Sequence, residues 1–582
     1  MILWGLLMPV LGLLAGPIRA QHSGWDQGQV NSTMCTWRLP RVITLRDTVY
    51  LDGGDIMWLQ GMDTGEYKRI ADGRNSGNPK GLILTLNLTT RFSLDQNLTQ
   101  LFNTLAKFGT SSAVPNYVDG DLLGNDAQFF TYGGLTLKSD SLPDPDKDET
   151  LEYQAYPYDS DVGTFSAGFV NEKLPSDITR YLAYGAAVNA PSENKAWYFS
   201  GLRSPSGGVI YDSFAIQSAV PSNISNTLIT LTFDSQAQNI EKWENRTLPA
   251  SVSGRASASG VFVPVGGNGI LVFVGGVTHP EFASSKHKSD NPPALQSDSE
   301  AFIKSIDIYD IGNDKWFRQE TSSSESPPVT AQGCAVVQHA SDFSSFNIYY
   351  YGGYTGEDRK EGFSDDVWIL TMPSFKWIKA HSGTEAHARA GHKCVSPYPD
   401  QMMVFGGFTP KLGSGPTCLE GGVIQLFNLT SLEWIDSYSP VVYAEYGVPE
   451  AVRKEIGGES WGGATANSPA ASGGWSEESL QTLFETPYPS ERIKTWYPYE
   501  PVEPSSRPGV SVSGEGKKSG SKLPGWVPPM LGAVLGLIAV VLVGIAIFVW
   551  RRRRILRAGS RHGSVSTAGP KWYEFDKHRR SS

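Results

Sequence analysis

Short apolar and aromatic runs recur along this chain, and each is stopped by glycine. Ile270 to Val274 ends at Gly275-Gly276, Ile348 to Tyr351 at Gly352-Gly353, and Met402 to Phe405 at Gly406-Gly407. Brief runs of β-branched and aromatic residues bounded by glycine predict strands rather than helices. After each run comes a tryptophan, Trp316, Trp377 or Trp434, seven residues beyond an apolar or aromatic anchor, Tyr309, Leu370 or Phe427. Recurrence on this scale is a structural repeat.

A repeated small twisted sheet cannot bury both of its faces alone and must stack on its neighbours, which predicts an all-β propeller. In this reading each glycine pair lets the backbone leave a strand at positive φ beside the next blade, where a Cβ would clash. The later tryptophan fills space between blades. Weaker copies stand upstream. Gly201 follows Ala196 to Phe199 and precedes Trp243, while Gly133-Gly134 and Gly53-Gly54 close strands with no tryptophan at the matching offset. The count is six blades, or seven if Cys35 to Val49 and the residues after Trp434 complete another sheet. The spacing between successive glycine motifs is 54 to 80 residues, so long loops are expected.

Two further features are the run Ala388-Arg389-Ala390-Gly391-His392 opening the last repeat and Asp365-Asp366-Val367-Trp368-Ile369-Leu370 in the one before. With these the chain resembles the kelch-repeat β-propellers, whose blades run to about 50 residues.

The chain ends bear on where such a propeller works. Residues 1–20 carry an apolar core from Leu3 to Leu14 and end at Ile18-Arg19-Ala20, which reads as a secretory signal peptide. Residues 526–550 hold no charge, are long enough to span a bilayer as a helix, and are followed by Arg551 to Arg554. The expected topology is single-pass type I: a propeller with a C-terminal packing segment over 21–487, a Pro/Ser/Gly-rich stalk over 488–525, the span, and a cytoplasmic tail over 551–582. This arrangement resembles the membrane-anchored kelch proteins of filamentous fungi. The expected location is the plasma membrane or a secretory-pathway membrane.

Charge divides at the same place. The tail is formally +8, which leaves −18 for residues 1–550. An acidic ectodomain excludes nucleic acid as a partner, while the tail is suited to anionic lipid headgroups. In the span, Gly532 and Gly536 offer a close-packing face for a homodimer. Six Asn-x-Ser/Thr sequons, at Asn31, Asn87, Asn97, Asn223, Asn245 and Asn428, are candidate glycosylation sites. The four cysteines are candidate disulfide partners. Cys394 is expected to pair with Cys418 inside the last repeat, and Cys35 with Cys334 by default.

The chemistry is less legible. The segments after the glycine pairs should emerge on one face, the expected binding surface, with the longest at 135–163 and 277–302. Asp144, Asp146 and Asp148 imitate the opening of a calcium loop, but Glu149 and Ala155 occupy the positions that need Gly and Glu, so an acidic solvated loop is the better reading. Galactose oxidase resembles kelch proteins in its propeller, and a copper-radical oxidase of that type needs two His, two Tyr and a Cys crosslinked to one Tyr. The ectodomain offers His22, His279, His287, His339, His381, His387 and His392. His392 belongs to the repeat pattern, and cysteines held in disulfides leave none for the crosslink. No hydrolase, zincin or phosphate-loop motif occurs. The expectation is a cell-surface binding module for an extracellular protein or a cell-wall glycan, with no cofactor and no catalytic or metal residue assigned. The alternative is a surface-tethered carbohydrate-active or copper-radical oxidase-like enzyme.

Overall fold

A computed structural model describes residues 26–499, apart from 70–76, 79, 108–113, 138–143, 157–166, 213–218, 234–240, 283–288, 358–361, 384 and 412–416. The signal peptide, most of the stalk, the span and the tail therefore lie outside the described residues, as do His22, His287, Gly532 and Gly536. Among the described residues no helix is long and apolar enough to cross a membrane.

Five antiparallel four-stranded sheets stand separately, each with its strands in sequence order. Their inner strands are Arg41–Leu45, Asp121–Gly124, Ala186–Ala190, Ser259–Val263 and Cys334–His339, which open blades 1 to 5. A sixth run of four, from Ala390–Tyr398 to Glu433–Ile435, forms blade 6. It is continued by Gln29–Arg38, Asp55–Met62 and Tyr67–Arg69 into a seven-stranded sheet. The inner strands touch in chain order, and blade 6 returns to blade 1, so the ring is closed. Cys35 to Val49 builds no further blade. It supplies part of the added strand, the first strand of blade 1 and the start of its second.

Each glycine pair ends the second strand of its blade with both residues at positive φ. A Cβ on Gly133 would lie 2.5 Å from the Leu182 carbonyl of the next blade's leading segment, and one on Gly134 would lie 2.6 Å from the Asp119 carbonyl of its own. Ser200 stands where the first glycine of blade 3 is missing and holds the same conformation at φ 54°. The hydroxyl donates to Ser225 O at 2.7 Å and accepts from Arg255 N at 2.7 Å, which stabilises the strained residue.

The tryptophans bridge blades as expected. Trp316 pairs with Tyr309 across its own blade and packs on Phe199 of blade 3. Trp434 meets Tyr351 of blade 5, Trp243 meets Tyr132 of blade 2, and Trp377 donates its indole N–H to Ile303 O at 3.1 Å.

The disulfides depart from the expected pairing. Cys334 joins Cys394 with Cα atoms 5.7 Å apart, and Cys35 joins Cys418 at 4.5 Å. Cys334 and Cys394 both lie on inner strands, in neighbouring blades. Cys418 follows the second strand of blade 6, on the side where the added strand carries Cys35, and Leu419 N–H donates to Cys35 O at 3.1 Å. Each bond thus ties a blade to what sits beside it, whereas the expectation had placed one inside a repeat.

The two long post-glycine segments also contain more than loop. Glu149–Gln154 is the third strand of blade 2, and Pro292–Lys304 is a helix, α1, begun by Pro at its first turn and capped by Asn291. Asp146, Asp148 and Glu149 surround the Lys173 ammonium within 3.9 Å, and Asp144 accepts from Tyr211. This is an ion-paired acidic surface.

Residues 439–499 form a strap along the face opposite the glycine pairs. It starts on blade 6, where Tyr398 donates to Pro440 O. Next it crosses blade 5 through α2 (Glu450–Ile456) and the Lys376–Glu455 ion pair. On blade 4, Lys315 pairs with Glu477, and α3 (Glu478–Glu485) buries Leu480. Tyr488 and Arg492 then bind Glu193 of blade 3, Trp496 covers Arg46 of blade 1, and Tyr499 donates to Pro397 O back on blade 6. The packed segment therefore runs twelve residues past the expected boundary at 487.

Two outcomes follow. Gly133→Ala should lose at least about 2 kcal/mol of stability, from the positive φ and the carbonyl clash together, measured by denaturant unfolding. Peptide mapping without reduction should recover linked Cys334–Cys394 and Cys35–Cys418 peptides, and no Cys394–Cys418 peptide.

Candidate functional site

The two ends of the propeller axis differ. At the glycine-pair end, six residues leading into or opening the inner strands take left-handed φ: Leu39, Asp119, Tyr184, Ser257, Gln332 and Gly391, between 53° and 67°. Hydrogen bonds link these residues in a chain around the axis. Leu39 N–H donates to Gly391 O at 2.8 Å, Asp119 N–H to Leu39 O at 2.9 Å, Gly391 N–H to Gln332 O at 2.8 Å, and Ser257 N–H to Tyr184 O at 2.6 Å. Tyr184 N–H donates to the Asp119 carboxylate.

Above this ring the residues that follow the glycine pairs turn inward. Leu135, Leu202, Val277 and Tyr354 join Tyr184 and Phe282 in one apolar cluster. Among the described residues, then, the expected binding face is filled at its centre by the chain's own side chains.

The other end is hollow. A cleft of about 510 Å³ is bounded by the far ends of the inner strands, at Thr44, Gln338, His339 and Ser396, and by the strap residues Glu445, Lys494, Trp496 and Tyr497. Arg46 fixes the rim: its guanidinium lies 3.9 Å from the Tyr156 ring centre and 4.3 Å from that of Trp496. Its Nε donates to Asp126 O at 3.2 Å. Tyr398 stacks on Tyr443 at 4.5 Å and accepts from Tyr499 N–H, which locks the two ends of the strap together. His339 stacks on Phe343 at 4.2 Å, and burial holds its pKa below the usual imidazole value. The cleft therefore combines aromatic surface, an amide, charge of both signs and a neutral imidazole, a set suited to binding.

A second cleft, of about 730 Å³, lies where the added sheet meets blade 6 and is lined by Asn31, Tyr67, Asn97, His387, Gln425 and Asp436. His387 stacks on Trp434 at 4.1 Å, and burial with the nearby Arg389 lowers its pKa to about 4.

The sequence-marked residues disperse around this frame. Asn87, Asn223 and Asn245 are exposed, while Asn31, Asn97 and Asn428 are half-buried. Asn428 accepts from Thr430 N–H and Ser431 N–H. His279 is buried, with Nε2 4.0 Å from a Glu357 oxygen. His392 is buried between blades 5 and 6, and burial lowers its pKa to about 3. All four cysteines are in disulfides, so none is available for a Tyr crosslink. The strap residues Lys494, Trp496 and Tyr497 fall within the segment 488–525 expected as stalk. Their signal was the aromatic density of residues 488–499, four rings in a segment whose prolines suggested a linker.

A "Kelch repeat-containing protein" of Arthroderma benhamiae (strain ATCC MYA-4681 / CBS 112371) is 25% identical over 518 residues, which cover 79% of this chain and 70% of that protein. This chain is therefore similar to a kelch-repeat protein and folds as a β-propeller. No family model matches the sequence. A solved structure described as "Structure of YjhT" aligns with 60% of this chain and 98% of its own at 16% identity and a TM-score of 0.31.

The axial ring makes one pH prediction. Burial raises the Asp119 carboxyl from 3.8 to about 6. A folded-state pKa above the unfolded one means that the folded protein keeps this proton where the unfolded chain has lost it. The favourable contribution is complete below about pH 4 and disappears as pH rises through 6. Stability of the native chain relative to Asp119→Asn should therefore fall between pH 4 and 7, by up to about 3 kcal/mol. Paired denaturant titrations across that range check it.

Proposed function

We propose that this kelch propeller is a non-catalytic binding module, carried on the cell surface by a single span, which takes an extracellular protein or a cell-wall glycan in the strap-rimmed cleft. The observation that carries the reading is the contrast between the two ends of the axis: one is filled by the chain's own apolar side chains, and the other holds a cleft with Trp496, Tyr497, Lys494 and Glu445 at its rim. Trp496 is 36% exposed, with its ring already held by Arg46. An aromatic side chain fixed before the ligand arrives costs little ordering entropy on binding.

Two disulfides, the sequons and the apolar N-terminal segment support an extracellular setting. The uncharged 526–550 segment followed by Arg551 to Arg554 supports the anchor.

The test is binding of the secreted ectodomain to an array of surface glycans, alongside crosslinking to surface proteins. Trp496→Ala and Lys494→Glu should each weaken the ligand found at least tenfold without shifting the main unfolding transition. Undiminished binding in both variants would move the site away from the cleft. Turnover of any bound glycan would replace the module with an enzyme.

A further inference from the structure

The Cys334–Cys394 disulfide has a third group beside it. Cys394 and His392 are alternate residues of one inner strand, so their side chains leave on the same side of it. One ligand atom from each of Cys334, Cys394 and His392 falls within 4.8 Å of the other two. The imidazole is only 2% exposed, and neither ring nitrogen has a hydrogen-bond partner of full geometry, its one polar interaction of this kind being a looser one with the Tyr351 main chain. A buried imidazole with unused lone-pair capacity next to two sulfurs is an uncommon arrangement, because buried polar groups are ordinarily paired.

We propose that Cys334, Cys394 and His392 form a redox-gated site for a thiophilic divalent cation of the zinc type, closed while the disulfide stands and opened when it is reduced. A dithiol reductant breaks the S–S bond. Each sulfur gains one electron and one proton, and the reductant leaves as its cyclic disulfide. The cation then displaces both thiol protons and binds two thiolates and the imidazole.

Two thiolates and one imidazole are the borderline-soft donors that zinc prefers, at about 2.3 Å for sulfur and 2.0 Å for nitrogen. The sulfurs must part from bonding distance to roughly 4 Å to share a tetrahedral metal, and Cα atoms 5.7 Å apart allow this through side-chain rotation. Access is through Cys394, which is half-buried, whereas Cys35 and Cys418 are almost wholly buried and, among the described residues, have no such histidine grouped with them.

The experiment adds Co(II) to the full chain before and after treatment with a dithiol. One equivalent should bind only after reduction, giving a thiolate-to-cobalt charge-transfer band, the visible spectrum of a tetrahedral ion and the release of two protons. A Cys35→Ser/Cys418→Ser chain, in which the second disulfide is already absent, should behave identically. His392→Gln, with its fold checked by circular dichroism, should lower the affinity at least tenfold while keeping a thiolate band. Cys334→Ser/Cys394→Ser should bind no cobalt under any condition. The proposal is overturned by absence of binding to the reduced chain, by collapse of the fold on reduction, by binding that survives loss of both cysteines, or by an affinity indifferent to His392→Gln.

Discussion

The propeller depends on a cation buried against the carbonyls that the glycine pairs expose. Arg41, Arg255 and Arg389 are wholly buried. Arg255 Nε donates to Gly275 O at 2.8 Å, Arg389 Nη1 to Gly406 O at 3.0 Å, and Arg41 Nη2 to Gly133 O at 2.8 Å. The glycines are needed because the backbone turns at positive φ against the next blade. That turn strips the carbonyls of strand partners, and a buried carbonyl without a donor is costly. A planar guanidinium with five donors is the side chain able to serve several carbonyls at once. Its own charge is met by Asp307 beside Arg255 and by Asp52 beside Arg41, where Lys107 joins the same carboxylate at 2.6 Å.

This coupling explains which parts of the fold were legible in the sequence. The glycine pairs, the anchors seven residues before Trp316, Trp377 and Trp434, and the Arg389 to His392 run are local signatures of a repeat, and each occupies its expected place in a blade. Blades 1 and 2 lack the tryptophan, yet Gly53-Gly54 and Gly133-Gly134 end second strands as their partners do. Other features were set by contacts between distant residues. Cys334 and Cys394 are neighbours because inner strands of adjacent blades touch, a relation that spacing within one repeat does not carry. The cleft escaped for the same reason: part of its rim comes from inner strands and the turns beyond them and part from residues 445–499, which meet only after the ring has closed.

The axial ring shows how a sixfold repeat can be decorated unequally. Six equivalent positions share one strained conformation, but they are filled by Leu, Asp, Tyr, Ser, Gln and Gly. The carboxylate of Asp119 is the one side chain that takes a main-chain position in the ring, by accepting from Tyr184 N–H. An ionisable group therefore sits within a network whose other links are main-chain hydrogen bonds, so a change in its charge acts on the ring directly.

The strap begins and ends on the same residue, Tyr398, having passed the blades in the reverse of their chain order. In mechanical terms it is a loop with its knot at blade 6. Tension applied beyond Tyr499 first loads the rings of Tyr398, Tyr443, Tyr497 and Tyr499, which stack and meet edge to face within 5.7 Å of one another around Tyr398. Only after that cluster parts does the pull reach Trp496, the Glu193 contacts and α3, one after another, and the hydrogen bonds within the blades carry no load until the whole strap has peeled away.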